Sequence, residues 1–160
     1  MNTKSYKEGT EAEQEFIKLR GDNFIRPATR DENIFEHWDV LDEKFGKIDV
    51  KAAKRKYRNG PIDHTIWWEL KTVKRPPTNK SENGWGVPNG IDRYIAIRSP
   101  NAFYLVKPEN IIHEIEDKCK EYYRGEFGLH TRPNRGDLLT ILPLNFIINR
   151  SDHVVSVEAA

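Results

Sequence analysis

Asp39, Asp49 and Lys51 stand in the segment HWDVLDEKFGKIDVK. Two carboxylates ten positions apart, the second followed two positions later by an ammonium, become neighbours when the intervening residues turn as a β-hairpin. Hard carboxylate oxygens suit Mg²⁺ or Mn²⁺, and one or two of them suffice because water fills the remaining positions. The backbone carbonyl of Val50 is a further candidate ligand. A cation held this way supplies Lewis acidity and activates a water, which is what phosphodiester hydrolysis requires. Lys51 can orient or deprotonate that water, or stabilise charge on the pentavalent phosphate. The alternative is a surface hairpin with ordinary Asp–Lys ion pairs, which carry little energy when exposed.

The elements that must position this trio are legible in the alternation. Residues 37–41 and 47–54 read as two strands joined around Lys44-Phe45-Gly46. Side chains alternate across a strand, so Trp38 and Val40 oppose His37, Asp39 and Leu41. Likewise Ile48 and Val50 oppose Asp49 and Lys51. Each strand thus has an apolar face and a face with chemical capability. Before them, residues 4–20 form a helix whose stripe is Tyr6, Ala12, Phe16, Ile17 and Leu19, stopped by Gly21. Phe24-Ile25-Arg26 is a short strand ended by Pro27, and ATRDENIFE is an irregular connection.

After a Gly/Pro-containing basic loop, TIWWELKTV (65–73) is a third strand, with Trp67, Glu69 and Lys71 on one side. Glu69-Leu70-Lys71 repeats the acid-x-Lys pattern. A rival register therefore exists, with Asp49 as first acid and Glu69 and Lys71 as the pair. The tight hairpin favours Asp39, Asp49 and Lys51, because the rival needs a twenty-residue excursion. In the preferred register Glu69 is a third-strand neighbour of the site and Lys71 a phosphate contact. Residues 75–90 are a polar surface loop containing Trp85. RYIAIRS and AFYLVK form a hairpin turned by Ser99-Pro100-Asn101. Residues 108–124 form a helix buried along Ile111, Ile112, Ile115, Cys119 and Tyr122, residues 138–142 another strand, and residues 151–160 a tail. The expected architecture is α/β: one domain over residues 1–150, with a central mixed, mostly antiparallel sheet flanked by helices.

Composition narrows the partners. Of 160 residues 32% are charged, and the single cysteine, Cys119, rules out an internal disulfide and fits a reducing, cytoplasmic setting. No apolar run approaches a membrane span, and MNTKSYKEGTEAEQEF has no signal-peptide core. The net charge of +1 conceals a segregation: 6 Lys/Arg against 11 Asp/Glu in residues 1–43, then 11 against 3 in residues 44–80. The block KAAKRKYR puts Lys54, Arg55, Lys56 and Arg58 directly after the Asp-x-Lys. A positive field there suits a polyanion, and equally suits a solvated basic loop. Trp85, in a Gly-rich loop, is a candidate for stacking on unpaired bases. Nothing matches a P-loop, a dinucleotide fingerprint, a zinc spacing or a Ser-His-Asp order.

HWDV…KIDVK resembles the PD-(D/E)xK nuclease signature, with Asp39 in the first position and Asp49-Val50-Lys51 as (D/E)xK. The preceding Gly9-Thr-Glu-Ala-Glu13 is similar to the GxxxE helix of Holliday-junction resolvases and small phage-encoded endonucleases of that superfamily. Trp38 stands where the signature has proline. The resemblance covers residues 5–75 and extends more loosely to 124. It implies a restriction-endonuclease-like core and a Mg²⁺- or Mn²⁺-dependent DNA endonuclease. Asp39, Asp49 and Glu13 would bind the metal, and the basic residues with Lys71 would grip DNA. Phosphate contacts position DNA without reading its sequence, so cleavage would be structure-selective or weakly specific. The resemblance also implies a homodimer and a phage or mobile-element setting. The competing expectation is a non-catalytic nucleic-acid-binding accessory protein on the same fold.

Overall fold

The computed structural model describes residues 3–52, 65–73, 81–121, 125–131 and 137–157. The N-terminal stripe folds as helix α1 (Thr3–Arg20). Ala12 and Phe16, one turn apart, are buried on one side of it. They join Val40, Ile48, Val50, Ala96, Phe103, Leu105 and Val155 in one core cluster. Phe16 and Phe103 meet edge to face at 5.1 Å, a geometry worth about 0.5–1.5 kcal/mol beyond the area it buries.

Strand β1 (Phe24–Pro27) follows and pairs antiparallel with β2 (Val40–Asp42), with a register shift between Phe24 and Arg26. The expected irregular connection between them contains a π-helical turn at Glu32–Glu36, ended by His37 in the left-handed region (φ 59°, ψ 54°). That conformation explains why β2 begins at Val40 rather than residue 37: regular extended pairing cannot pass through a left-handed residue. Strand β3 (Gly46–Ala52) pairs antiparallel with β2, Val40 opposite Ile48. Two devices set this hairpin's register. Gly46 takes a φ of +76°, which a side chain would strain. Asp42, buried, accepts the backbone N–H groups of Lys44 and Phe45 at 2.9 and 3.0 Å, and the Arg20 guanidinium at 2.6 and 3.2 Å. Burial alone pushes the Asp42 carboxyl up; these donors outweigh it and hold the group below the usual range.

Strands β4 (Thr65–Val73) and β5 (Ser81–Asn83) come next, then β6 (Arg93–Arg98) and β7 (Ala102–Val106). The β6–β7 hairpin turns at Ser99 as expected. Its hydroxyl donates to the Ala102 carbonyl at 2.7 Å and accepts the Ala102 N–H at 3.0 Å. Helix α2 (Pro108–Glu121) buries the predicted Ile111, Ile112, Ile115 and Cys119; Tyr122 lies outside the described residues. Strands β8 (Leu129–Thr131) and β9 (Leu138–Pro143), helix α3 (Leu144–Ile148) and strand β10 (His153–Ser156) complete the chain.

The protein is α/β, with mixed, mostly antiparallel pairing, but its strands form two sheets rather than one. The first runs β1-β2-β3-β6-β7-β10 and the second β5-β4-β9-β8. In the first, only β3 and β6 are parallel, with Asp49 beside Ile95 and Lys51 beside Ile97. The expected single domain divides into two compact units: Met1–Ala53, Ile91–Lys107 and Arg150–Ala160 in one, Lys54–Gly90 and Pro108–Asn149 in the other. TIWWELKTV is a strand, as expected, but it belongs to the second sheet; the neighbours of β3 are β2 and β6. The expected tail over 151–160 contains β10, which pairs antiparallel with β7 through Val155 opposite Phe103. The alternating burial of HVVS is too short to announce a strand from sequence. Among the described residues no helix is long and apolar enough to cross a membrane.

Candidate active site

Asp39 sits one residue ahead of β2, where the ladder is completed partly by its side chain. Its backbone N–H donates to the Ile48 carbonyl at 2.8 Å, and its own carbonyl accepts the Ala28 N–H at 2.8 Å. One carboxylate oxygen, Oδ2, accepts the Val50 N–H at 2.8 Å. The other, Oδ1, accepts Asn33 Nδ2 at 2.6 Å, and the same amide also donates to the Trp38 carbonyl at 3.1 Å. Trp38 beside it is fully buried and anchors the segment. Asp39 is therefore held by backbone, by the π-turn and by β3 together.

Asp49 lies on β3 and is 3% exposed. Two cations face it. Lys51 Nζ is 3.2 Å from Oδ1, as the two-residue period of the strand requires. Arg93 Nη1, at the start of β6 and itself 1% exposed, is 3.8 Å from Oδ2. Arg93 and Asn33 are functional neighbours that the sequence reading did not single out. Arg93 had only a faint signal, a cation opening the alternating strand RYIAIR; its register beside Lys47 comes from the parallel pairing of β3 and β6. Asn33 had none, since its role depends on the π-turn.

The electrostatics identify Asp39, Asp49 and Glu13 as one coupled group. The Asp39 carboxyl is pushed up to about 7, first by burial and then by the charge of Asp49, with Lys51 and the Val50 N–H pulling the other way; a hydrogen bond with the Asp49 side chain also favours the protonated form. Glu13, half-buried on α1 next to core residue Ala12, is likewise pushed up to about 7, first by burial, then by Asp39, with Lys51 opposing. Burial raises both carboxyls first and a like charge raises them second, so a divalent cation would complement the pair.

Among the described residues no three His, Cys, Asp or Glu side chains converge as a ready-made metal cage. Mg²⁺ does not need one, because it keeps several waters and is bound through one or two carboxylates. Asp39 and Asp49, close enough for the charge of one to raise the other's carboxyl, meet that requirement, and Glu13 feels the charge of Asp39. The N–H of Val50, whose carbonyl was the further candidate ligand, is already given to Asp39.

Other expected site residues belong to the second unit or lie outside the described residues. Glu69 and Lys71 are on β4 in the second unit. A register shift between them, Glu69 opposite Leu139 and Lys71 opposite Leu138, breaks the period that would keep an acid-x-Lys pair on one face. β4 is thus not hydrogen-bonded to β3, and its alternation is interrupted between the two residues of the rival pair. Glu69 instead supports the Gly84–Gly86 turn: its carbonyl accepts the Gly86 N–H at 2.9 Å, and its Oε1 lies 3.4 Å from the Trp85 N–H. Trp85 is half-buried and packs edge to face on Trp68 at 4.9 Å. Lys71 is exposed. Lys54, Arg55, Lys56 and Arg58 lie outside the described residues.

No family model, curated protein or solved structure matches the chain.

Proposed function

We propose that the chain is a divalent-metal-dependent DNA endonuclease of the PD-(D/E)xK kind on a restriction-endonuclease-like core. The observation that carries this reading is the hold of the Asp39 carboxylate on β3, where Oδ2 accepts the Val50 N–H at 2.8 Å next to Asp49, with Lys51 Nζ 3.2 Å from Asp49. Support also comes from the element order. Helix α1 carrying Glu13 precedes the β2–β3 hairpin, and the hairpin carries the acid, acid and lysine.

Asp39 and Asp49 would hold Mg²⁺ or Mn²⁺, with Glu13 completing the negative shell. When bound, the ion supplies Lewis acidity at the phosphate and lowers the pKa of a coordinated water. Lys51 contributes a mobile positive charge, 30% exposed at its side chain, beside the reacting phosphate. There it stabilises developing negative charge and orients the attacking water. Arg93 places a buried positive charge 3.8 Å from Asp49, and Asn33 with the Val50 N–H fixes Asp39. This placement keeps both carboxylates in one geometry as the charge between them changes. The basic segment 54–58 and Lys71 would grip the DNA backbone. Cutting both strands of a duplex requires two sites, which a homodimer in a reducing cytoplasm would supply; its setting would be a phage or mobile element.

Purified protein incubated with supercoiled, nicked and four-way DNA in Mg²⁺ or Mn²⁺ tests the proposal. Cleavage is expected with either metal and none with EDTA. Activity that survives in both Asp49→Ala and Lys51→Ala would sink it. One observation favours a second reading, a non-catalytic DNA-binding protein. Both oxygens of Asp49 already face cations, an arrangement that can also be purely structural. Salt-sensitive DNA binding without metal-dependent cleavage of any of the three substrates would select it.

A further inference from the structure

The π-turn that supplies Asn33 to Asp39 also carries two exposed large apolar side chains. Phe35 is 67% exposed and Ile34 is 47% exposed. The backbone beneath them is clamped at both ends. At the entry, Arg26 makes a two-pronged ion pair with Glu32 at 2.7 and 2.9 Å, and Glu32 also accepts the Thr29 N–H at 2.9 Å. At the exit, Lys47 pairs with Glu36 at 2.8 Å, and Glu36 accepts the Trp38 indole N–H at 3.2 Å. Arg26 and Lys47 both lie over the ring of buried Trp38, at 5.3 and 5.4 Å. His37, in the left-handed region, then reverses the chain into Trp38 and Asp39.

Two large apolar groups are thus presented on a braced turn rather than on a yielding loop. The turn's charges balance: Arg26, Arg30 and Lys47 against Asp31, Glu32 and Glu36. Its cations Arg26 and Lys47 are already engaged by acids of the turn. A phosphate backbone finds no net positive charge here, whereas the π-face of an unstacked base meets an aromatic ring of matching character. We propose that Phe35, backed by Ile34, stacks on an unpaired base next to the scissile phosphate. The preferred substrates would then be DNAs with an unpaired or splayed base, rather than perfect duplex. The placement beside the phosphate rests on the nuclease reading of Asp39; the stacking contact itself does not require cleavage.

The two are separated by measuring binding in EDTA, where no metal-dependent cleavage occurs. The probes are two DNAs of equal length and sequence, one fully paired and one with a single unpaired 2-aminopurine. Wild-type protein is expected to bind the second about tenfold more tightly and to quench its fluorescence. Phe35→Ala should abolish both the preference and the quench without changing affinity for the paired duplex. Phe35→Trp should restore them. Because the side chain is exposed, the melting temperature of each variant should match wild type. The proposal is overturned if wild-type protein binds neither DNA or shows no preference. It also fails if Phe35→Ala keeps the preference or weakens both DNAs equally, or if that variant converts a dimer to a monomer, which would make the turn a protein–protein contact. A preference in a protein that cleaves none of the DNAs overturns the nuclease reading alone, and cleavage without the preference overturns the stacking alone.

Discussion

Asp39→Asn should make the metal-free protein more stable at alkaline pH while abolishing cleavage. In the folded state the Asp39 carboxyl is pushed up from 3.8 to about 7, by burial first and by Asp49 second. A carboxyl raised above its unfolded value contributes stability that is full below about pH 4 and lost as pH rises through about 7. By pH 8 the wild-type protein must hold the charge in place. The difference from 3.8 to about 7 corresponds to an upper limit of about 4 kcal/mol. Partial exposure, screening and relaxation reduce what an uncharged residue recovers to about 2 kcal/mol. Asparagine keeps an oxygen for the Val50 N–H, and the Asn33 amide can rotate to accept from the new amide. Scanning fluorimetry in EDTA should therefore show Asp39→Asn melting about 4–8 °C above wild type at pH 8, with the gap closing toward pH 5. Mg²⁺ should raise the wild-type midpoint more than that of the variant. A variant no more stable than wild type at pH 8, or one whose advantage persists undiminished at pH 5, would refute the argument that Asp39 is a destabilised carboxylate.

The other expectations concern neighbouring parts of the two units. Lys51→Ala should lower cleavage by about 100-fold or more in a plasmid-nicking assay, with Lys51→Arg recovering part of it. The melting temperature should fall too, because the change leaves buried Asp49 with one facing cation fewer, and Lys51→Arg, which keeps the charge, should recover it. Glu13→Gln should weaken the response to Mn²⁺ concentration by about 10–100-fold if it completes the metal shell, read as the midpoint of a Mn²⁺ titration of cleavage. Asp42→Ala strands Arg20 and two backbone N–H groups, so urea denaturation should show a loss of about 3–5 kcal/mol. Because the Asp42 carboxyl is held below its ordinary range, its contribution is full at neutral pH and is lost only as acid protonates it. The deficit of the variant should therefore narrow at low pH. In the second unit, Gly86→Ala would drive a methyl into the Trp68 indole and to 2.7 Å from the Glu69 carbonyl. Overpacking of this kind costs about 1–3 kcal/mol, visible as an earlier urea transition followed by tryptophan fluorescence.

What the sequence revealed was what short-range periodicity controls. The stripe of α1, the β2–β3 and β6–β7 hairpins and the buried face of α2 follow from local alternation and turn residues, and they emerge close to their expected bounds. The juxtaposition of Asp39, Asp49 and Lys51 was legible for the same reason, since a hairpin is a local structure. Strand neighbours are not local. Nothing in KIDVK or RYIAIR announces that β3 and β6 will lie parallel across forty intervening residues, so Arg93 escaped notice. The strand of Glu69 and Lys71 shows the converse limit. The period of two holds along an unbroken strand, and the register shift between them is a property of pairing with β9. The π-turn was read as irregular because its bonds engage side chains, Glu32 accepting the Thr29 N–H and Asn33 donating to the Trp38 carbonyl, and follow no simple period.

The sheet carrying the candidate site is assembled from three separated stretches of chain. Residues 54–90 and 108–149 intervene before it is finished. A ribosome would thus release Asp39, Asp49 and Lys51 well before β6 brings Arg93 alongside them, and before β10 covers the outer edge of β7. Such sequence-distant pairing slows folding, and an uncovered edge invites pairing with other chains. A polypeptide stopped after residue 149 would keep every residue of the site and still lack the strand that closes its sheet. Shortening the protein from that end is therefore a question about aggregation and maturation time before it is one about chemistry.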